Sequence, residues 1–393
     1  PRILGLGEVM DAVSVINGSV SMHEKLSLFQ NRIRDGHAPF LAAGDLAAYV
    51  LAGIATDHEC VDYEYAMEEC RNGMQVLIRE GSAARNLDAI VSGLVKHHTD
   101  TSGFCFCTDD KHIEDIRREG HINYNVRRSV ELGLSPEQAL QMATIQAAKC
   151  YGLTHLGAIA PGCQADLVVL EDLDTMKVRD VYHKGIRIVK DEKKEIRPCA
   201  PDLKNTVHLK SFDKKDLQLL HHGGKAHVLQ MMEGQIVTRD IVEDVPFVEE
   251  NGEKIFTSDA VYQKIAVIER HKCTGKVGVG IVKGFGLQGG AIASSVSHDS
   301  HNLIVIGDND HEMYLAVQEL VRTQGGYTLV ENGKVYDTLP LPVMGLMSDE
   351  GYEKVNDLLA RMIPKAHAMG IKQGFDPFIT LSFMALPVIP DIR

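Results

Sequence analysis

Five times in the first 110 residues a short apolar run ends on an ionisable side chain and gives way to helical spacing. The runs are Ile3 to Glu8, Ile33 to His37, Ile54 to His58, Val76 to Glu80 and Phe104 to Asp109. In a strand, residues two apart share a face. Glu8 follows Leu4 and Leu6, His58 follows Ile54 and Thr56, Glu80 follows Val76 and Ile78, and Asp109 follows Cys105 and Cys107. This parity predicts that all five ionisable side chains cap one inward row. Strand then helix, repeated every roughly 20 to 30 residues, predicts parallel βα units. Catalytic groups of a βα-barrel gather at the carboxyl ends of its strands, where these five residues stand. Five units are fewer than the eight of a closed barrel. The remaining strands are expected upstream of Pro1, because the chain opens directly in an apolar run with no initiator methionine.

Further signals set the local boundaries. Leu41 to Leu51 and Ser82 to Val95 have helical spacing, with Ser82 the expected N-cap of the second. Ser135-Pro136-Glu137 reads as a serine cap with proline at the first helical position, and Gly152 as the close of that helical region. Residues 156–195, with a turn at Gly157 to Gly162, an apolar run at Ala165 to Leu170 and a Lys184-Gly185 turn, read as part of a small β-sandwich. Residues 1–155 are then the carboxyl-terminal part of a barrel, 196–205 a charged, proline-containing linker, and 206–393 an α+β C-terminal domain. The fold class expected is α/β, a TIM barrel represented by five βα units with two appended elements. Gly278 to Gly290 lacks the spacing of a dinucleotide fingerprint and reads as glycine-tolerated turns. In Ser297-His298-Asp299-Ser300-His301-Asn302, two histidines flank an acid, which fits a pocket lining and a hydrogen-bonded turn equally well.

Charge narrows the partners. A net charge of -13 leaves no basic stripe for phosphate neutralisation, so nucleic acid is not an expected partner and a small neutral substrate is. No apolar run approaches the about 20 residues needed to span a bilayer. Eight cysteines in 393 residues do not make a secreted disulfide framework, and no charged-then-apolar leader opens the sequence, so a cytoplasmic location is expected. Cys105 and Cys107 are two apart, unlike a CxxC pair, and read as barrel interior.

Glu8, His37, His58 and Asp109 together form a ligand set for a borderline divalent cation, which takes imidazole nitrogen and carboxylate oxygen side by side. A single histidine at a strand end is more often a structural, hydrogen-bonded residue, but four matching positions reverse that reading. An aspartate at a later strand end can accept a proton from water whose pKa a cation has lowered. The combination predicts a hydrolytic centre.

The same stretches carry a family resemblance. Gly5 to Met10, Asp35 to Pro39, Thr56 to Cys60, Arg79 to Asn86, Cys107 to Asp110, Gly157 to Leu170, Val277 to Asn302 and Leu339 to Asp349 resemble the bacterial adenine deaminases of the amidohydrolase superfamily. The resemblance implies a metal-dependent-hydrolase barrel with two divalent ions, manganese or iron first and zinc as an alternative. It implies that Glu8 bridges the ions, that His37 and His58 hold the second, and that Asp109 binds the first and takes the proton of the attacking hydroxide. Adenine then loses its C6 amine as ammonia to give hypoxanthine, a purine-salvage reaction, and a homo-oligomer is expected. Glu80 or Glu59 would protonate the ring, with Glu80 preferred, and His121 and His298 are further candidates for the substrate pocket. The superfamily places a His-x-His pair on its first strand, and none precedes Glu8, so an N-terminal segment bearing it is an expected partner. Two alternatives stay open. One is an amidohydrolase for another cyclic amidine or amide; the other is a non-catalytic fragment or scaffold subunit.

Overall fold

The computed structural model describes residues 3–173, 175–188, 203–232 and 237–387. The chain divides into two compact units, Pro1–Lys194 and Glu195–Arg393. The linker expected at 196–205 falls mainly outside the described residues.

In the first unit five strands follow one another in chain order: β1 (Gly5–Val9), β2 (Ile33–Gly36), β3 (Thr56–Asp57), β4 (Gln75–Arg79) and β5 (Phe104–Cys107). β1 pairs parallel with β2, β3 with β4, and β4 with β5. Ala55 N–H donates to the Arg34 carbonyl, joining β2 to β3. Their approach is close: a Cβ on Gly36 would lie 2.2 Å from the Thr56 carbonyl oxygen, so only glycine fits immediately before His37.

Helices alternate with these strands. Asp62 caps Tyr63–Arg71 by accepting from Tyr65 N–H at 2.8 Å. Ser135 and Gln138 form a reciprocal capping box on Pro136–Ala143. The helix after β4 begins at Leu87, behind Asn86, rather than at Ser82. Ser82 instead donates to Asp115 Oδ2 at 2.5 Å and accepts from His112 N–H, so its hydroxyl ties two loops together.

The register of β4 and β5 sorts side chains between the two faces. Val76 pairs with Phe104 and Ile78 with Phe106, and these four share one buried cluster with Leu87, Ile90, Val91 and Leu94 of the following helix. Burying such a side chain contributes about 1.5–3 kcal/mol, which fixes this face as the helix side. Leu77 with Cys105 and Arg79 with Cys107 point the other way. The single inward row expected from parity is therefore corrected. Asp109 continues the Cys105–Cys107 row, whereas Glu80 continues the Val76–Ile78 row on the opposite face.

β6 (Leu167–Leu170), β7 (Val178–His183) and β8 (Ile186–Arg187) make a separate antiparallel sheet in the same unit. The two-residue turn Lys184-Gly185 joins the last two, with His183 opposite Ile186. Both turn residues have positive φ, as a hairpin of that length requires.

The second unit is built on one sheet of eight strands: β9 (Ala226–Met231), β10 (Thr238–Glu243), β13 (Tyr262–Ile268), β14 (Val277–Lys283), β15 (Gly290–Ser294), β16 (Leu303–Gly307), β17 (Gly326–Glu331) and β18 (Lys334–Pro340). Their spatial order is β10-β9-β14-β13-β16-β15-β17-β18, and β11 (Phe247–Glu250) with β12 (Glu253–Phe256) forms a separate hairpin. Alternation divides the sheet's two faces. Ile304 and Ile306 pack with Leu358, Leu359 and Met362 of the helix Tyr352–Ala368, while Leu303 and Val305 pack with Met313, Ala316 and Leu320 of the helix Asp310–Thr323. Gly278 and Gly280 lie inside β14, opposite Val267 and Ile265, rather than in turns.

Candidate metal centre

β1 itself and the loops after β2, β3 and β5 bring Glu8, His37, His58 and Asp109 together. Glu8 Oε1 lies 3.0 Å from His37 Nδ1 and 3.0 Å from His58 Nε2, so a single carboxylate oxygen serves both imidazoles. His58 Nε2 is also 3.3 Å from Glu59 Oε1 and 3.3 Å from Asp109 Oδ2. Two ligand-type triads result, Glu8–His37–His58 and His58–Glu59–Asp109, each with its ligand atoms within 4.8 Å of one another.

Local structure explains why these groups stay there. His37 N–H donates to the buried Tyr49 hydroxyl at 3.0 Å, and Tyr65 OH donates to the Ala38 carbonyl, so two helices hold the His37 loop. Asp57, fully buried, accepts from Ala38 N–H and from Glu59 N–H, each at 2.6 Å. One carboxylate thereby fixes the turn after β2 and the turn after β3.

Burial opposes ionisation of Glu8, but its hydrogen bonds with His37 and His58 outweigh burial and hold the carboxyl well below the usual range. Burial also opposes charge on His58, yet its contact with Glu8 and the charges of Glu59 and Asp57 push it up to about 9. Glu59 is shifted up by burial, against the pull of Arg79. An excess of carboxylate surrounds the imidazoles.

The donor set fits a divalent cation. His37 Nε2 is buried and makes no hydrogen bond among the described residues, and His58 Nε2 faces three carboxylate oxygens within 3.3 Å. Buried polar atoms are ordinarily satisfied, so one orphaned imidazole nitrogen and a second ringed by carboxylate oxygens have the chemistry of a divalent-cation ligand set.

Glu80 and His121 are engaged elsewhere in the first unit. Glu80 is buried, but its carboxylate pairs with Arg85 at 3.1 Å and accepts from Leu87 N–H at 3.4 Å. His121 is exposed and meets Thr108 Oγ1 at 3.0 Å; burial and the charge of Lys111 shift it down. His298 belongs to the second unit, where its ring stacks on Phe383 with centroids 4.6 Å apart. The stretch around it closes as a turn, with His301 N–H donating to the Ser297 carbonyl. Sequence reasoning missed Arg79, which is 1% exposed and reaches Glu59, Asp109 and Asp110. Its signal was its parity with Leu77, which needs the ladder register to be read.

Five parallel strands with such a centre at their carboxyl ends define an α/β metal-dependent hydrolase, and residues 93–188 match the amidohydrolase family. Residues 235–393 match the adenine deaminase C-terminal domain. Over its whole length the chain is 55% identical to the adenine deaminase of Desulfitobacterium hafniense (strain Y51), covering 68% of that protein. It is 42% identical to that of Nitratidesulfovibrio vulgaris (strain DP4), covering 68% of it, and 43% identical to that of Clostridium acetobutylicum, covering 69%. The chain belongs to the adenine deaminase family. Among the described residues no helix is long and apolar enough to cross a membrane.

Proposed function

We propose that this chain carries the hydrolytic centre of an adenine aminohydrolase, in which Glu8, His37, His58 and Asp109 hold two divalent ions, manganese or iron. The five parallel strands then belong to a βα-barrel. One observation carries the reading: a single Glu8 oxygen stands 3.0 Å from His37 Nδ1 and 3.0 Å from His58 Nε2, and the buried His37 Nε2 beyond it makes no hydrogen bond among the described residues. Divalent ions at such a site supply the charge that lowers the pKa of an attacking water. The residues of the chain then move its protons. As water adds to C6 of adenine, Asp109 accepts a proton and returns it to the departing amine, and ammonia leaves to give hypoxanthine. Ring protonation falls to Glu59, whose carboxylate stands in the centre beside His58, whereas Glu80 continues the row that faces the helices.

The test is ammonia release by the full-length, metal-loaded protein from adenine, guanine, cytosine and hydantoin, with metal content measured on the same sample. Ammonia and hypoxanthine from adenine alone, with two ions per chain, are expected. Release from another cyclic amidine and none from adenine would replace the substrate. No bound metal at all would leave a scaffold role.

A further inference from the structure

Arg79 is the buried charge that the proton transfers above leave unused. A guanidinium cannot shed its proton inside a protein, so its burial requires acceptors on every side. Nη2 and Nε both donate to Asp110 Oδ1, at 2.6 and 3.1 Å. Asp110 is itself locked: its Oδ2 accepts from Ala83 N–H at 2.7 Å and its carbonyl from Ser82 N–H at 2.9 Å. The loop can close over it because residue 81 is glycine; a Cβ there would lie 2.3 Å from Asp110 Oδ1. One edge of the guanidinium is therefore tied to backbone. The other faces the site, where Nη1 donates to Glu59 Oε1 and Nη2 lies 3.4 Å from Asp109 Oδ1.

We infer that Arg79 is a positioning residue for the deamination, holding the carboxylates of Glu59 and Asp109 at a fixed separation through one planar fork anchored on Asp110. The inference rests on the roles proposed above for those two carboxylates. Lysine would keep the charge but not the fork, since an ammonium cannot bridge two acids while bonded twice to a third. The effect is on chemistry more than on affinity, because a displacement of about 1 Å in a reacting group can cost roughly 10²-fold in rate.

Arg79→Lys and Asp110→Asn, made in the full-length metal-loaded enzyme, test this alongside Glu59→Gln and Asp109→Asn. The readouts are kcat, KM for adenine, metal content per chain and the solvent deuterium isotope effect on kcat. For Arg79→Lys we expect kcat lower by about 10²-fold, KM and metal content close to wild type, and a larger isotope effect as proton transfer becomes limiting. Asp110→Asn, which leaves the guanidinium in place, should show a smaller fall with the same signature, and serves if Arg79→Lys does not fold. A kcat that is unchanged, or that falls only together with metal content at an unaltered isotope effect, would reduce Arg79 to a buried structural ion pair. If Glu59→Gln and Asp109→Asn leave kcat intact, the carrier assignment itself fails; if they slow the reaction and the Arg79 and Asp110 variants do not, only the positioning role fails.

Discussion

Two clusters of carboxylates meet at the end of β3, one built on His58, the residue after the strand, and the other on Asp57, its last residue. In the first His58 joins Glu8, His37, Glu59 and Asp109; in the second Asp57 meets Cys60 and Glu69, all three buried. Both have ligand-type atoms within 4.8 Å of one another, yet they are different chemistry. In the first, imidazoles hold Glu8 ionised, and the buried His37 Nε2 makes no hydrogen bond among the described residues. In the second no base is present, and burial followed by the charge of Asp57 pushes Glu69 up to about 10. A carboxyl that keeps its proton is a poor cation ligand, and both oxygens of Asp57 are already taken by backbone N–H groups. Ligand types at metal-like spacing thus do not make a metal site; the partner that ionises them does.

The largest contrast is expected from His58→Ala. It should drop metal content and reduce turnover to background while the apo protein melts near the wild-type temperature, because no large apolar contact is lost. Near-normal turnover would remove His58 from the centre. Asp109→Asn comes next, with metal largely retained through Glu8, His37 and His58 and a fall in kcat of about 10²–10⁴-fold, the usual worth of a positioned proton carrier. An unchanged rate would end its role.

In the cluster built on Asp57 the effects should be structural. Asp57→Asn leaves either Ala38 or Glu59 facing an amide donor, a loss of about 1–3 kcal/mol for a buried unsatisfied N–H. Thermal melting at fixed pH reads it, and an unaltered melting temperature would mean that the two turns do not depend on this carboxylate. A pH dependence, rather than a loss at one pH, is the contrast expected from Glu69→Gln. Unfolded, Glu69 loses its proton above about 4.5, whereas folded it keeps it until about 10, so its contribution is complete below the lower value and drains away as pH rises toward the upper. The glutamine variant should therefore lose less stability than wild type between acid and mildly alkaline pH. Parallel melting curves for the two proteins across that range would show that Glu69 titrates normally.

Alternating apolar runs and helical spacing revealed the five strands and the helices between them, and residue types at the strand ends pointed to Glu8, His37, His58 and Asp109. Parity misplaced Glu80, because the side to which a strand residue points depends on the ladder, and Arg79 opposite Cys107 settles it. The helix start at Ser82 failed for a related reason: its hydroxyl is used across loops by Asp115 and His112. The sorting of the second unit's sheet into two covered faces follows from Leu303 to Ile306, yet nothing local announces which strands become neighbours, since β9 and β14 are far apart in the chain and still adjacent.

Arg79 and Glu80 are consecutive, one turned inward and the other toward the helices. Deleting a single residue between Gln75 and Ile78 would slide Glu80 into the place of Arg79, exchanging that buried cation for a further anion among Glu59, Asp109 and Asp110. Point changes along that strand alter volume or polarity one site at a time, whereas a one-codon deletion would invert the electrostatics around Glu59 and Asp109. Sequence drift in this family should accordingly spare the length of β4 even where it rewrites the composition.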